Sequence, residues 1–321
     1  MKIEQIHKNS ADFQKLKSFV EKHQLTFNSE AWLRIYNEQS IFQCAIFNNN
    51  NDVIGCFIYY RFRKSVLKFV ITPPFAPDVE LFYINPSESV VGRNSFDKEV
   101  MTTLAAYFDA LHVPYLNLNF PATVIDTQPF TWKGYTAKTR YSYLINLSQG
   151  QEELHANLSS EKRKSLNKAE KDGLIIQQTR NHELVYSLIV KSLERNHVAK
   201  NLSILRSILF DFADENNSFA FVAYQNNEPA GAAFCIVDGQ KAVYLFGGLE
   251  PANKHHGAGV SCMWQSIIKA KELGLKWFDF EGSMNASIER YFREFGGTLT
   301  PYFCVEKVSW MLRPLLLLKK Q

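Results

Sequence analysis

Residues 258–280, AGVSCMWQSIIKAKELGLKWFDF, run a helical pattern straight into a short aromatic strand, and the same succession occurs earlier in the chain. There, residues 96–120, FDKEVMTTLAAYFDALHVPYLNLNF, read as a helix from Phe96 to Leu111, capped by Asn94 or Ser95, and a strand from Tyr115 to Phe120. Tyr115 and Trp277 open the two strands at an offset of 277 − 115 = 162. Leu111 and Leu273 keep that offset at the helix ends, and Gly134 and Gly296 keep it ahead of a further apolar strand. Further upstream the N-x-x-x-G pair at Asn51–Gly55 and Asn227–Gly231 is 176 apart, so an insertion or deletion intervenes.

Outward from these repeats, residues 11–24 and 29–38 read as amphipathic helices, Phe42 to Phe47 as strand, and 48–74 as two strands after an Asn/Asp turn. The second half repeats the order: helices near 183–194 and 203–214, the strand SFAFVAY, and the pair in NNEPAGAAFCIVDGQKAVYLFGGLEP. Hairpin-linked strands followed by one helical crossover predict an α/β (α+β) fold with a mixed, largely antiparallel sheet in each of two tandem half-units. The expected division is 1–148 and 149–321, with the basic helix QEELHANLSSEKRKSLNKAEKDG after the junction.

With 321 residues, 46% of them hydrophobic, the chain can fill two cores. A net charge of +4 is too small for a surface dominated by nucleic-acid contacts. Cys44, Cys56, Cys235, Cys262 and Cys304 sit in apolar runs without C-x-x-C or Cys/His spacing, as expected of reduced, buried thiols. No metal is expected, for no ligand set is visible. G-x-G-x-x-G after a strand, Walker A, H-E-x-x-H and G-x-S-x-G are all missing, which disfavours dinucleotide, nucleotide, zinc-protease and serine-hydrolase chemistry. The N-terminus has no apolar signal region, so a cytoplasmic protein is expected. The tail VSWMLRPLLLLKKQ, 308–321, is too short for a span that needs about 20 apolar residues, but could make a peripheral contact at the inner membrane. Packing against its own domain is the plainer use of that tail.

Two segments suggest chemistry. Lys254-His255-His256-Gly257-Ala258-Gly259 lies between the strand KAVYLFGG and a helix, where free N–H groups and the helix dipole suit a diphosphate. A glycine-rich helix entry without a ligand accounts for the same residues. In Phe278-Asp279-Phe280-Glu281-Gly282-Ser283, strand alternation places Asp279 and Glu281 on one face, where they could bind an amine or take its proton. Partners for Arg290 and Arg293 are the plainer reading of those carboxylates.

The aromatic-Asp-aromatic strand end, its small-residue turn and Arg290-Tyr291-Phe292-Arg293-Glu294-Phe295-Gly296-Gly297 together resemble the C-terminal signature of the Fem (FemABX) aminoacyltransferases and their acetyltransferase relatives. These belong to the GNAT superfamily, whose Q/R-x-x-G-x-G/A loop the Lys254–Gly259 segment resembles. Arg163-Lys164-Ser165-Leu166-Asn167-Lys168-Ala169 is similar to the family's R-x-N-I-x-x-A, and Trp132-Lys133-Gly134-Tyr135 to its W-x-G-Y strand entry. The resemblance implies two GNAT-like units and acyl or aminoacyl transfer to a small-molecule or peptide amine. No cofactor would be tightly bound; acyl-CoA, or aminoacyl-tRNA, would be the donor co-substrate. It implies catalytic roles for Asp279, Glu281, Tyr291 and Arg293, the last in charge stabilisation only, since an arginine keeps its proton. It also implies donor contacts at Lys254, His256, Gly257, Ala258 and Gly259, and substrate contacts at Arg163, Trp132 and Tyr135. Where the family carries a phosphate-contacting lysine this chain has Tyr36, which weakens the expectation of a nucleotide-linked cell-wall substrate. A peptidoglycan aminoacyltransferase and a non-catalytic binding module are the alternatives.

Overall fold

A computed structural model describes residues 1–195 and 201–312. In chain order the elements are β1 (Lys2–Gln5), α1 (Phe13–Lys22), α2 (Glu30–Leu33), β2 (Ile41–Phe47), β3 (Val53–Lys64), β4 (Leu67–Ile71), β5 (Phe82–Tyr83), α3 (Val90–Ala110), β6 (Tyr115–Asn119), α4 (Gln128–Trp132) and β7 (Thr136–Asn146). There follow α5 (Gln151–Ala156), α6 (Ser160–Lys171), β8 (Ile175–Thr179), α7 (His182–Arg195), α8 (Leu202–Ser207), β9 (Ser218–Gln225), β10 (Glu228–Asp238), β11 (Lys241–Leu249), α9 (Ala258–Glu272), β12 (Trp277–Asp279), α10 (Ala286–Arg293) and β13 (Thr298–Val308). The helices expected over 29–38 and 203–214 are shorter: α2 is a single turn, and after α8 the chain continues as a π-helical turn over Ile208–Phe212.

Two compact units form, Met1–Arg140 with the described part of 301–321, and Tyr141–Thr300. In the first, strands run β1-β2-β3-β4-β6-β13, all antiparallel except β4 with β6. In the second they run β7-β12-β11-β10-β9-β8, all antiparallel except β12 with β11. The run of strands in each unit is mixed and largely antiparallel, as expected. The units differ from the expected 1–148 and 149–321 because two strands are exchanged. β7, from the first repeat, pairs Leu144–Asn146 with β12, while β13, from the second, pairs Cys304–Val308 with β6.

Each parallel pair is joined by the helix that opened the sequence reading. α3 starts at Ser89, whose hydroxyl accepts from Gly92 N–H, and buries Val100, Met101, Leu104, Ala105 and Phe108 against its sheet. α9 is buried on several sides, so its Val260, Cys262, Met263, Trp264 and Ile267 all join the second core. β10 reads EPAGAAFCIVD with small residues where α9 packs on it, Cys262 and Ala258 lying near Gly231, and in the neighbouring β11 the backbone of α7 at Leu188 comes so near Gly248 that a Cβ there would stand 2.5 Å away. All five cysteines are free and buried, and no described helix is long and apolar enough to cross a membrane. Of the tail read as packing on its own domain or making a peripheral membrane contact, Trp310 and Met311 are exposed and Leu312 is buried; residues 313–321 lie outside the described residues.

Candidate active site

β11 and β12 pair only through Lys241–Trp277, Ala242–Phe278 and Val243–Asp279. Beyond that point β11 stays bonded to β10 as far as Leu249, while β12 ends, so the parallel pair splays and leaves one edge of β11 open from Tyr244 onward. A β-bulge at the opening leaves Leu245 without a partner on β10. The first unit shows what closes such a splay. Its β4 and β6 part after Ile71 and Asn117, but residues 72–83 then thread between the strands. Val79 donates its N–H to Asn119 O and accepts from Ile58 N–H, Thr72 Oγ1 accepts from Asn119 N–H, and β5 takes over the edge of β3. The crossover there is longer by ten positions, 115 − 69 = 46 against 277 − 241 = 36, which supplies this filling segment. Tyr36, standing where the resemblance would put a lysine, donates its hydroxyl to Pro74 O of the same segment.

The glycine loop enters α9 beside the open splay, but its donors are not all free. His255, with a side chain only 6% exposed, accepts Gly257 N–H at Nδ1 (3.0 Å), which places the ring proton on Nε2. Nε2 lies 2.9 Å from Asp172 Oδ2 at the end of α6, and His255 O accepts from Ala258 N–H. Lys168 first, then His255, holds the Asp172 carboxyl below its usual range. Among the described residues the amides of Gly259 and Val260 meet no acceptor, so they are the first-turn donors left for an anion. Gly257 itself has no room for a side chain: a Cβ would stand 2.7 Å from Ala169 Cβ and 2.8 Å from Ser165 O of α6. A Cβ on Gly259 would make only ordinary contacts, 3.4 Å to Leu249 Cδ2 and 3.6 Å to Tyr291 Oη. Lys254 and His256 are exposed. Of the two histidines it is His255 that is held inside the fold, whereas His256, which the resemblance implied as a donor contact, is exposed.

Tyr291 on α10 brings its hydroxyl to this first turn. Burial pushes its phenol well above the usual tyrosine value, so it carries its proton at neutral pH. Lys162 of α6, buried, lies with Nζ 3.8 Å from the Tyr291 ring centroid and 3.2 Å from Glu294 Oε2. Burial draws the Lys162 ammonium below its usual range; burial also opposes the Glu294 carboxylate, but Lys162 and Arg290 more than offset it. Lys162 belongs to the basic helix that follows the junction in the sequence; what buries it is the aromatic pair Tyr291 and Phe295 opposite.

Asp279 ends β12 with Oδ1 accepting from Ser142 Oγ (2.6 Å) and from Glu281 N–H (2.9 Å). The second bond turns the chain, Glu281 taking φ 60° and Gly282 φ 77°, so the alternation expected to align Asp279 with Glu281 stops at Asp279. Phe278 and Phe280 do share the core side, 5.2 Å apart. Arg293 is exposed on α10, its Nε 3.3 Å from Glu289, which also accepts from Tyr143 Oη (2.5 Å). Arg163, expected at an anion, instead donates to the carbonyls of Ala156 (2.8 Å) and Leu158 and so caps the end of α5. Trp132 and Tyr135 belong to the first unit, the former exposed under Lys98, the latter buried on Phe130 beside Lys307. Among the described residues no three His, Cys, Asp or Glu side chains gather as a metal-ligand set.

Residues 160–293, which carry α6, the open splay, the α9 entry and α10, match the sequence model of the acetyltransferase (GNAT) domain family. No curated protein matches the chain. Among solved structures it is similar to FemX (TM-score 0.65, 12% identity, all of both chains covered). It is also similar to the C-terminal domain of a putative lysylphosphatidylglycerol synthetase from Agrobacterium fabrum (0.55, 10%, 95% of each chain). A tandem GNAT protein from the clavulanic acid biosynthesis pathway aligns at 0.54 and 7%, covering 95% of this chain and 98% of its own. The fold class is thus that of the GNAT proteins. More particularly, it has the FemABX-like tandem GNAT fold, with its GNAT domain at 160–293.

Proposed function

We propose that the second unit transfers an acyl group from a coenzyme A thioester to an amine, and that the open splay between β11 and β12 beside the free amides of Gly259 and Val260 is the donor site. The unpaired edge of β11 suits an extended chain bearing amides, such as pantetheine, and the α9 entry suits its diphosphate. The acceptor amine attacks the thioester carbon and passes a proton, directly or through water, to Asp279, whose Oδ2 no described residue bonds. Backbone amides at the bulge stabilise the oxyanion as the C–S bond breaks, and Tyr291 protonates the departing thiolate. Arg293, engaged with Glu289 on an exposed face, contributes only distant positive charge.

Calorimetric titration with coenzyme A and acetyl-CoA tests this reading. Gly259→Ala should bind within about threefold of wild type, because the methyl fits. Gly259→Asp should lose roughly 10- to 1,000-fold, as expected for like charges about 4 Å apart, where the repulsion runs from about 1 kcal/mol in water to about 4 kcal/mol near a protein surface. Absence of binding to the wild type would overturn the thioester reading and make an aminoacyl-tRNA ester the leading donor. The titration should also saturate at one donor per chain, since residues 72–83 fill the equivalent splay in the first unit; two sites per chain would mean that this segment leaves.

A further inference from the structure

We propose that His255 is the positioning residue of the donor's diphosphate subsite, a role that rests on the donor-site reading above. Two contacts from one imidazole join elements far apart in sequence: Nδ1 accepts a hydrogen bond from Gly257 N–H at the α9 entry, and Nε2–H donates one to Asp172 Oδ2 at the end of α6. The backbone of the same residue takes Ala258 N–H. Between these bonds Gly257 is pressed on Ser165 and Ala169 of α6. The first turn of α9 is therefore held from both sides, and two of its four orphan N–H groups are already satisfied.

Specificity follows from that subtraction. With Gly257 and Ala258 engaged inward, the N–H groups of Gly259 and Val260 remain, adjacent in the first turn of α9, and Tyr291 Oη lies 3.6 Å from where a Cβ on Gly259 would stand. Without the imidazole, Gly257 N–H would be unsatisfied beside a packed helix and would turn to compete for the anion, changing the geometry of the turn rather than removing a ligand contact. His255 touches no donor atom in this scheme. It acts through the placement of two amides, which is why a general loss of stability would not reproduce its effect.

The test compares coenzyme A with pantetheine, which shares the thiol arm and lacks the phosphates, on wild type, His255→Ala, His255→Asn and His255→Gln. Asparagine can present an oxygen near the position of Nδ1 and accept Gly257 N–H; glutamine reaches toward Asp172 and leaves Gly257 unsatisfied. The expected result is coenzyme A affinity about tenfold lower in His255→Ala and His255→Gln, largely restored in His255→Asn, as one buried hydrogen bond would give. Pantetheine affinity should stay unchanged in all three. Equal coenzyme A affinity across the variants, or parallel loss for both ligands, overturns the proposal. If His255→Ala does not fold, the contrast between the asparagine and glutamine variants decides in the same way. Failure of the wild type to bind coenzyme A overturns the donor reading itself and this inference with it, and is told apart from a failure of His255 alone because it is seen before any substitution.

Discussion

Gly282→Ala is expected to lower the melting temperature of the second unit by roughly 10 °C, following from about 3–5 kcal/mol lost and 2–4 °C per kcal/mol for a unit of this size. Gly282 has φ 77°, and a Cβ there would stand 2.0 Å from Tyr141 O and 2.8 Å from Ser142 Cα. Both atoms belong to β7, the strand that pairs with β12. Relief requires β7 to move away from β12, which also breaks the Ser142 hydroxyl bond to Asp279. Gly274→Ala is the matched control: φ is 74°, but a Cβ there meets nothing within 4 Å, so only backbone strain of about 1 kcal/mol is added. Calorimetric melting of the pair checks the argument, and a shift at Gly282 no larger than that at Gly274 would show that the turn relaxes without disturbing β7.

Ending the chain after Thr300 is expected to unfold the first unit while leaving the second folded. The removed segment carries Cys304 and Val305, both fully buried, and the ladder of Cys304–Val308 with β6. It also carries Glu306, which accepts from Asn117 and pairs with Lys138, and Lys307, which pairs with Asp109 and holds Asp109 below the usual carboxylate range. Losing these leaves β6 as a raw edge and opens the core between α3 and its sheet, a loss of order 5 kcal/mol or more, comparable to the whole stability of a domain. Hydrogen exchange read separately over 1–140 and 141–300 gives the answer. Undiminished protection in the first segment would show β13 to be an accessory strand.

The helix–strand repeats were legible because their signals are local: apolar spacing in 96–111 and 258–273 and short aromatic strands at a constant offset. The exchange of β7 and β13 was not, since both strands mix β-branched and aromatic residues with polar ones and, by composition, either could serve either sheet. Asp279 and Glu281 were placed on one face by alternation, which assumes extended backbone; the left-handed Glu281 breaks it, and a glutamate does not announce that conformation. Gly282 does, and was the usable warning. Arg163 was assigned by motif position, whereas its contacts depend on where α5 ends, a matter of tertiary packing. His255 and His256 differ by one position in sequence and by burial in the fold, which only the approach of α6 distinguishes.

The exchanged strands also set an order of events at the ribosome. Residues 301–308 follow the 160 residues of Tyr141–Thr300, so at ordinary rates of synthesis the first unit waits roughly 8–30 s, with β6 uncovered, for a strand that has not yet been made. The second unit has no such wait, because β7 precedes it. The amino-terminal half of this protein is thus the half that finishes last.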